Sequence, residues 1–200
     1  MDKIKKMLGT KLFQNGMWLF ILQIFNTVVP LLILPYITRV LGTSNYGVFS
    51  LSLNWVTYFQ VIVEYGFGFT GARKVSIEGD NNLQNLYSRI ISARLLLLAV
   101  SYLGMNVLAY VTHVGVQQFV SMNILFLVII GVAFQLTWLF QGKQDMKLIT
   151  IINAVSRLIS VILVFLVVKT EAHLYLYCFC YSVTFIFSAV LGLALSRKKF

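Results

Sequence analysis

Residues 119–140, FVSMNILFLVIIGVAFQLTWLF, carry no charged side chain over 22 consecutive positions. At 1.5 Å per residue a helix of that length crosses a hydrocarbon core about 30 Å thick. Five further runs, residues 13–38, 47–69, 90–111, 148–168 and 174–195, meet the same requirement of about 20 largely apolar residues. Lipid offers the backbone no hydrogen-bond partners, so spanning segments are helices or the strands of a closed barrel. The unbroken run Leu95 to Val100 lacks the inside/outside alternation of a barrel strand. The sequence therefore predicts an all-α polytopic membrane protein, a single bundle of six transmembrane helices over residues 1–200.

Composition agrees. The chain is 59% hydrophobic with mean hydropathy +0.85, more apolar surface than a 200-residue soluble domain can hide. Its net charge of +10 suggests nucleic acid until the positions are read. Twelve of the 16 Lys and Arg fall in the amino terminus, the loops after the second and fourth spans, and the carboxyl terminus; only Arg39 and Lys169 lie in the alternate loops. That bias follows topology, so no nucleic-acid partner is expected, and the positive-inside rule puts both termini in the cytoplasm. The first span is too long for a secretory signal and no small-residue cleavage site follows it. Cys178 and Cys180 are two positions apart, about 200° around a helix, which makes them packing residues rather than a metal or redox pair. No soluble domain or linker is expected, and Thr70 to Ser88 reads as a polar loop punctuated by Gly79, Asp80, Asn81 and Asn82.

Function is sought where the spans are not purely apolar. In the fifth span Thr150, Asn153, Ser156, Arg157 and Ser160 share one helical sector. Arg157 lies ten residues beyond Lys147, roughly 15 Å into the membrane. An arginine there costs at least about 2.5 kcal/mol and faces a bundle interior or a wet cavity. It is either a ligand contact or an anchor between helices. The second span carries a comparable face of Ser50, Asn54, Thr57, Gln60 and Glu64, which implies a cavity between helices; Glu64 is alternatively a snorkelling carboxylate paired with Arg73 or Arg89. In the first span Asn15, Gln23 and Asn26 fall on one side, and Pro30 and Pro35 each remove a backbone donor, so a kink is expected. Arg94 reaches either the interface or the cavity. Tyr177, Tyr181, Thr184, Ser188 and Gly192 stripe the sixth span in a pattern more typical of helix packing. Trp18, Tyr36, Tyr46, Tyr110 and Trp138 lie near span ends, as interfacial anchors do, and Gly66, Gly68 and Gly71 relax the chain as it leaves the second span. No metal-ligand cluster or catalytic constellation is evident, and neither histidine has an acidic partner inside a span, which argues against an enzyme, a catalytic residue or a cofactor.

Several of these residues also carry a resemblance. Gln23, Asn26, Pro30-Leu31-Leu32, Pro35-Tyr36, Arg39, Leu41-Gly42, Tyr46-Gly47, Val63-Glu64-Tyr65-Gly66-Phe67, Trp138-Leu139-Phe140-Gln141-Gly142, Met146-Lys147 and Ser156-Arg157-Leu158 occur in this order over most of the chain. Together they resemble the first half of Wzx-type O-antigen flippases, in the polysaccharide transporter branch of the MOP exporter superfamily. The resemblance implies a bacterial inner-membrane protein that moves an undecaprenyl-diphosphate-linked oligosaccharide between leaflets by alternating access between two six-helix lobes.

Arg157, Arg94 and Arg39 would then cradle the diphosphate, and Gln23, Asn26, Asn54 and Asn153 would contact sugar. Glu64 would couple proton or sodium movement. Guanidinium groups suit an anionic head group, and amides and hydroxyls suit a glycan. Members of the family are about twice this length, so the second lobe is expected either from a longer protein, of which this is a fragment, or from a parallel copy in a homodimer. Two other readings are a multidrug or cation antiporter of the same superfamily, for which a more acidic cavity is expected, and a non-transporting membrane assembly subunit.

Overall fold

The computed structural model describes residues 11–79 and 82–199, and every regular element among them is helical. Lys3, Lys5 and Lys6, which contribute to the charge of the amino terminus, and Asp80 and Asn81 of the expected polar loop lie outside the described residues. In order the elements are α1 (Lys11–Glu64), α2 (Phe67–Glu78), α3 (Leu83–Val111), α4 (Val116–Phe134), α5 (Thr137–Gly142), α6 (Met146–Val167), a 3-10 turn (Glu171–His173) and α7 (Leu174–Lys199). Among the described residues, five helical stretches are long and apolar enough to cross a membrane. Large apolar side chains such as Leu32, Leu96 and Leu103 lie exposed on their outer faces, where lipid replaces water as the solvent. The chain is an all-α polytopic membrane protein.

Helix α1 contains the first two expected spans. Its 54 residues would measure about 80 Å if straight. Instead Gly42, with φ 77° and ψ 159°, breaks it into arms of residues 11–41 and 43–64. A side chain would be strained in that conformation, which glycine adopts freely. The first arm runs alongside α6: Trp18 meets Thr150, Asn26 meets Arg157, and Tyr36 meets Val168. The second arm leaves Gly42 beside Glu171 and Gln117, passes Tyr177, and ends near Arg94, so it runs back the other way. Pro30 and Pro35 both sit inside the first arm, yet the one non-helical residue of α1 is Gly42.

Three boundaries differ from the sequence reading. The span expected to continue to residue 69 ends at Glu64, because Tyr65 and Gly66 have φ of 38° and 73° and restart the chain as α2. Most of the expected loop from Thr70 to Ser88 is helix, in α2 and the first turns of α3. Its apolar residues explain this: Val75 and Leu86 bury themselves against Ile90, Leu139 and Phe140. The span of residues 119–140 divides at Gln135, an extended residue between α4 and α5.

Two apolar clusters hold the bundle. The larger joins both arms of α1 to α3, α4, α6 and α7 through residues such as Ile37, Val56, Met105, Leu125 and Cys178. The smaller surrounds α5. Trp138 is only 1% exposed there, not an interfacial anchor as expected, since its ring lies over Gly71, whose missing Cβ would stand 3.0 Å from it. Helices α4 and α7 approach closely because Gly131 faces the backbone of Phe185, where a Cβ would come within 2.6 Å. Hydroxyls bridge the helices: Ser182 donates to the carbonyls of Cys178 and Ile124, and Ser160 to that of Cys180.

Candidate ligand cavity around Arg157

The polar stripe of α6 separates into two groups. Thr150 donates to the Trp18 carbonyl at 2.9 Å, Ser160 to the Cys180 carbonyl at 2.7 Å, and buried Ser156 to its own helix at Ile152. These three tie helices or satisfy themselves. Asn153 and Arg157 instead face a cavity of about 250 Å³ bounded by the first arm of α1, Gln135, α6 and α7. Arg157 Nη1 donates to Asn26 Oδ1 at 2.9 Å and to the Asn26 carbonyl at 3.3 Å. Asn153 Nδ2 donates to the Ile149 carbonyl at 2.9 Å, and its Oδ1 accepts from Ser188 at 3.2 Å. Thr184 and Gln135 complete the polar lining.

Such a site presents one guanidinium, three amides and two hydroxyls with half-buried access. A guanidinium has five donors, and both bonds to Asn26 use Nη1. The chemistry suits an oxyanion joined to a hydroxyl-rich group. Among the described residues no three His, Cys, Asp or Glu side chains gather as metal ligands would.

Of the residues singled out in the sequence, the cavity brings together Arg157, Asn26 and Asn153. Arg39, Gln23 and Asn54 are exposed on α1 and do not line it. Arg94 is 5% exposed and lines a different cavity. Its Nη1 donates to the carbonyls of Val132, Ala133 and Gln135 at 3.4, 3.1 and 3.3 Å at the end of α4, where the Gln135 N–H serves Val132 as well. Glu64 accepts from Gln60 at 2.9 Å and, with Arg94 and Gln141, borders a separate cavity of about 390 Å³. Gln135, Thr184 and Ser188 were not assigned to a site from the sequence. Gln135 gave no periodic signal, and the other two sat in a stripe that reads as packing.

The family model described as polysaccharide biosynthesis protein matches residues 12–200. The chain belongs to that family. It is 26% identical over 184 residues to a protein of Escherichia coli K12 named as an O-antigen transporter, covering 91% of this chain and 44% of that one. A protein of the same name from Shigella dysenteriae is 28% identical over 188 residues, covering 92% of this chain and 47% of its own. The chain thus spans about half the length of the curated relatives it matches. No solved structure matches it.

Proposed function

We propose that this chain forms one six-pass lobe of a flippase that carries an undecaprenyl-diphosphate-linked O-antigen or related polysaccharide unit across the bacterial inner membrane. The observation that carries the reading is the Arg157 cavity: a fixed cation with amides and hydroxyls, inside an apolar bundle of a polysaccharide-biosynthesis family. Arg157 holds the diphosphate, and Asn26, Asn153, Gln135, Thr184 and Ser188 exchange hydrogen bonds with the glycan in place of water. The reaction is transport, with no bond made or broken. A second lobe, from a longer protein or a parallel copy, closes the other wall, and the two lobes alternate access. Exposed Gln23, Asn54 and Arg39 belong to the face of α1 that meets that wall. Glu64 couples proton or sodium movement from the separate cavity it shares with Arg94.

The direct test is the lipid itself. Protein purified from a strain making the glycan should retain polyprenyl-diphosphate-linked sugar by mass spectrometry, and the Arg157→Gln protein should retain at least tenfold less. Equal retention by both would remove Arg157 from the site. The charge bias of the loops supports an orientation with both termini cytoplasmic. Single cysteines at Gln117 or Ala172, with Cys178 and Cys180 replaced, should react with an impermeant thiol reagent in intact cells, whereas one at Asn82 should not. Labelling of Asn82 without permeabilisation would invert the topology.

A further inference from the structure

A second cavity, of about 210 Å³, shares Arg157, Thr184 and Phe185 with the polar one. It lies between the two arms of α1, against α6 and α7. Its character is different. Pro30, Ile33 and Leu34 of the first arm, Leu53 of the second, and Val161 and Val164 of α6 supply an aliphatic wall, with tyrosines 46, 177 and 181 at the end nearest Gly42. Apart from Arg157, Ser160, Thr184 and the three tyrosines, that lining is hydrocarbon, along which a glycan's hydroxyls would lose water and gain no partners. It fits branched hydrocarbon. The polar cavity has the opposite preference, and the charged side chain of Arg157 stands where the two meet.

From this juxtaposition we infer that the paired cavities seat one amphipathic ligand across Arg157, with the isoprenoid units next to the phosphate lodged between the arms of α1 and the hydroxyl-rich group in the polar cavity. The inference rests on the head-group reading above and adds where the lipid tail goes. Hydrocarbon gains little by leaving a bilayer for an apolar pocket, since lipid tails are equally apolar. The aliphatic cavity therefore serves register and orientation: it fixes the phosphate at Arg157. It also requires the tail to enter the lobe between the arms, with Gly42 as their joint.

The experiment uses the 200-residue chain in phosphatidylcholine nanodiscs with an undecaprenyl diphosphate analogue bearing a diazirine on the isoprene units beside the phosphate. After photolysis, labels should map to Ile33, Leu34, Val161 and Val164, and excess unlabelled undecaprenyl diphosphate should remove them while excess phosphatidylglycerol should not. Leu34→Trp and Val161→Trp, on different helices, should each cut labelling at these positions at least tenfold. Arg157→Gln should cut it similarly by releasing the lipid. Labels confined to outward residues such as Leu96 and Leu103, with binding still lost in Arg157→Gln, would overturn the tail cavity and leave the head-group reading standing. Labels in the cavity that persist in Arg157→Gln would uphold a tail site and remove the head-group reading. Displacement by phosphatidylglycerol as effective as by the polyprenyl lipid would make the cavity an ordinary bilayer-lipid site and overturn the inference.

Discussion

Arg94 and Arg157 are both arginines within apolar helices and both border cavities, yet the bundle partners them differently. Arg94 is enclosed and its Nη1 meets three main-chain carbonyls at the end of α4. Arg157 is half-buried, bonds a single neighbouring residue, and borders two cavities. The cost of placing a guanidinium in a membrane is thus offset by different means. At Arg94 the backbone supplies the compensation, because a helix broken inside lipid has carbonyls that must find donors. At Arg157 the compensation is partial, and capacity remains for a ligand. Both arginines border cavities and Arg94 keeps a buried Nε without a partner, so what separates them is the number of main-chain carbonyls each serves, three against one.

The largest expected effect separates the two by stability. Arg94→Ala should leave the Ala133 and Gln135 carbonyls without the Arg94 donor, Val132 keeping the Gln135 N–H, and cost about 2 kcal/mol or more, seen as low membrane abundance and early thermal unfolding in detergent. Arg94→Lys, which keeps a charged donor, should recover part of that loss. Arg157→Ala removes only the contacts to Asn26 and should cost about 1 kcal/mol or less. Comparable destabilisation by both alanine variants would erase the distinction and make Arg157 an anchor between helices.

That contrast also marks the limit of what the sequence discloses. Hydropathy is a property of whole runs, so the membrane class and the polar sector of α6 are legible without coordinates. The break at Gln135 is not, because an extended glutamine there depends on Arg94, 41 residues away, to serve its carbonyl. The burial of Trp138 was likewise hidden, since it depends on α2 forming where a loop was expected and on Gly71 leaving room for the ring. Periodicity placed Thr150, Ser156, Ser160, Asn153 and Arg157 on one face without revealing which of them neighbouring helices would consume. It also presented Asn54 and Asn26 as equals, whereas the reversal at Gly42 brings only Asn26 to Arg157.

The smallest expected effect tests whether hydroxyls divide as the arginines do. Ser188 donates to Asn153 Oδ1 at 3.2 Å and so helps to hold that amide at the cavity wall, whereas Ser182 donates to the carbonyls of Cys178 and Ile124 in the packed seam between α4 and α7. Each hydrogen bond contributes about 0.6 kcal/mol within a membrane bundle, so Ser188→Ala and Ser182→Ala should lower thermal stability by similar small amounts. Ligand retention should not follow stability. Releasing the Asn153 amide in Ser188→Ala should weaken retention of the lipid-linked glycan about threefold, the equivalent of roughly 0.6 kcal/mol, while Ser182→Ala leaves retention at the parent level. Equal retention by the two variants would mean that Asn153 needs no orientation from α7. Arg157, Asn26, Gln135 and Thr184 would then carry the polar cavity, and the contrast between the packed and the open seam would rest on the arginines alone.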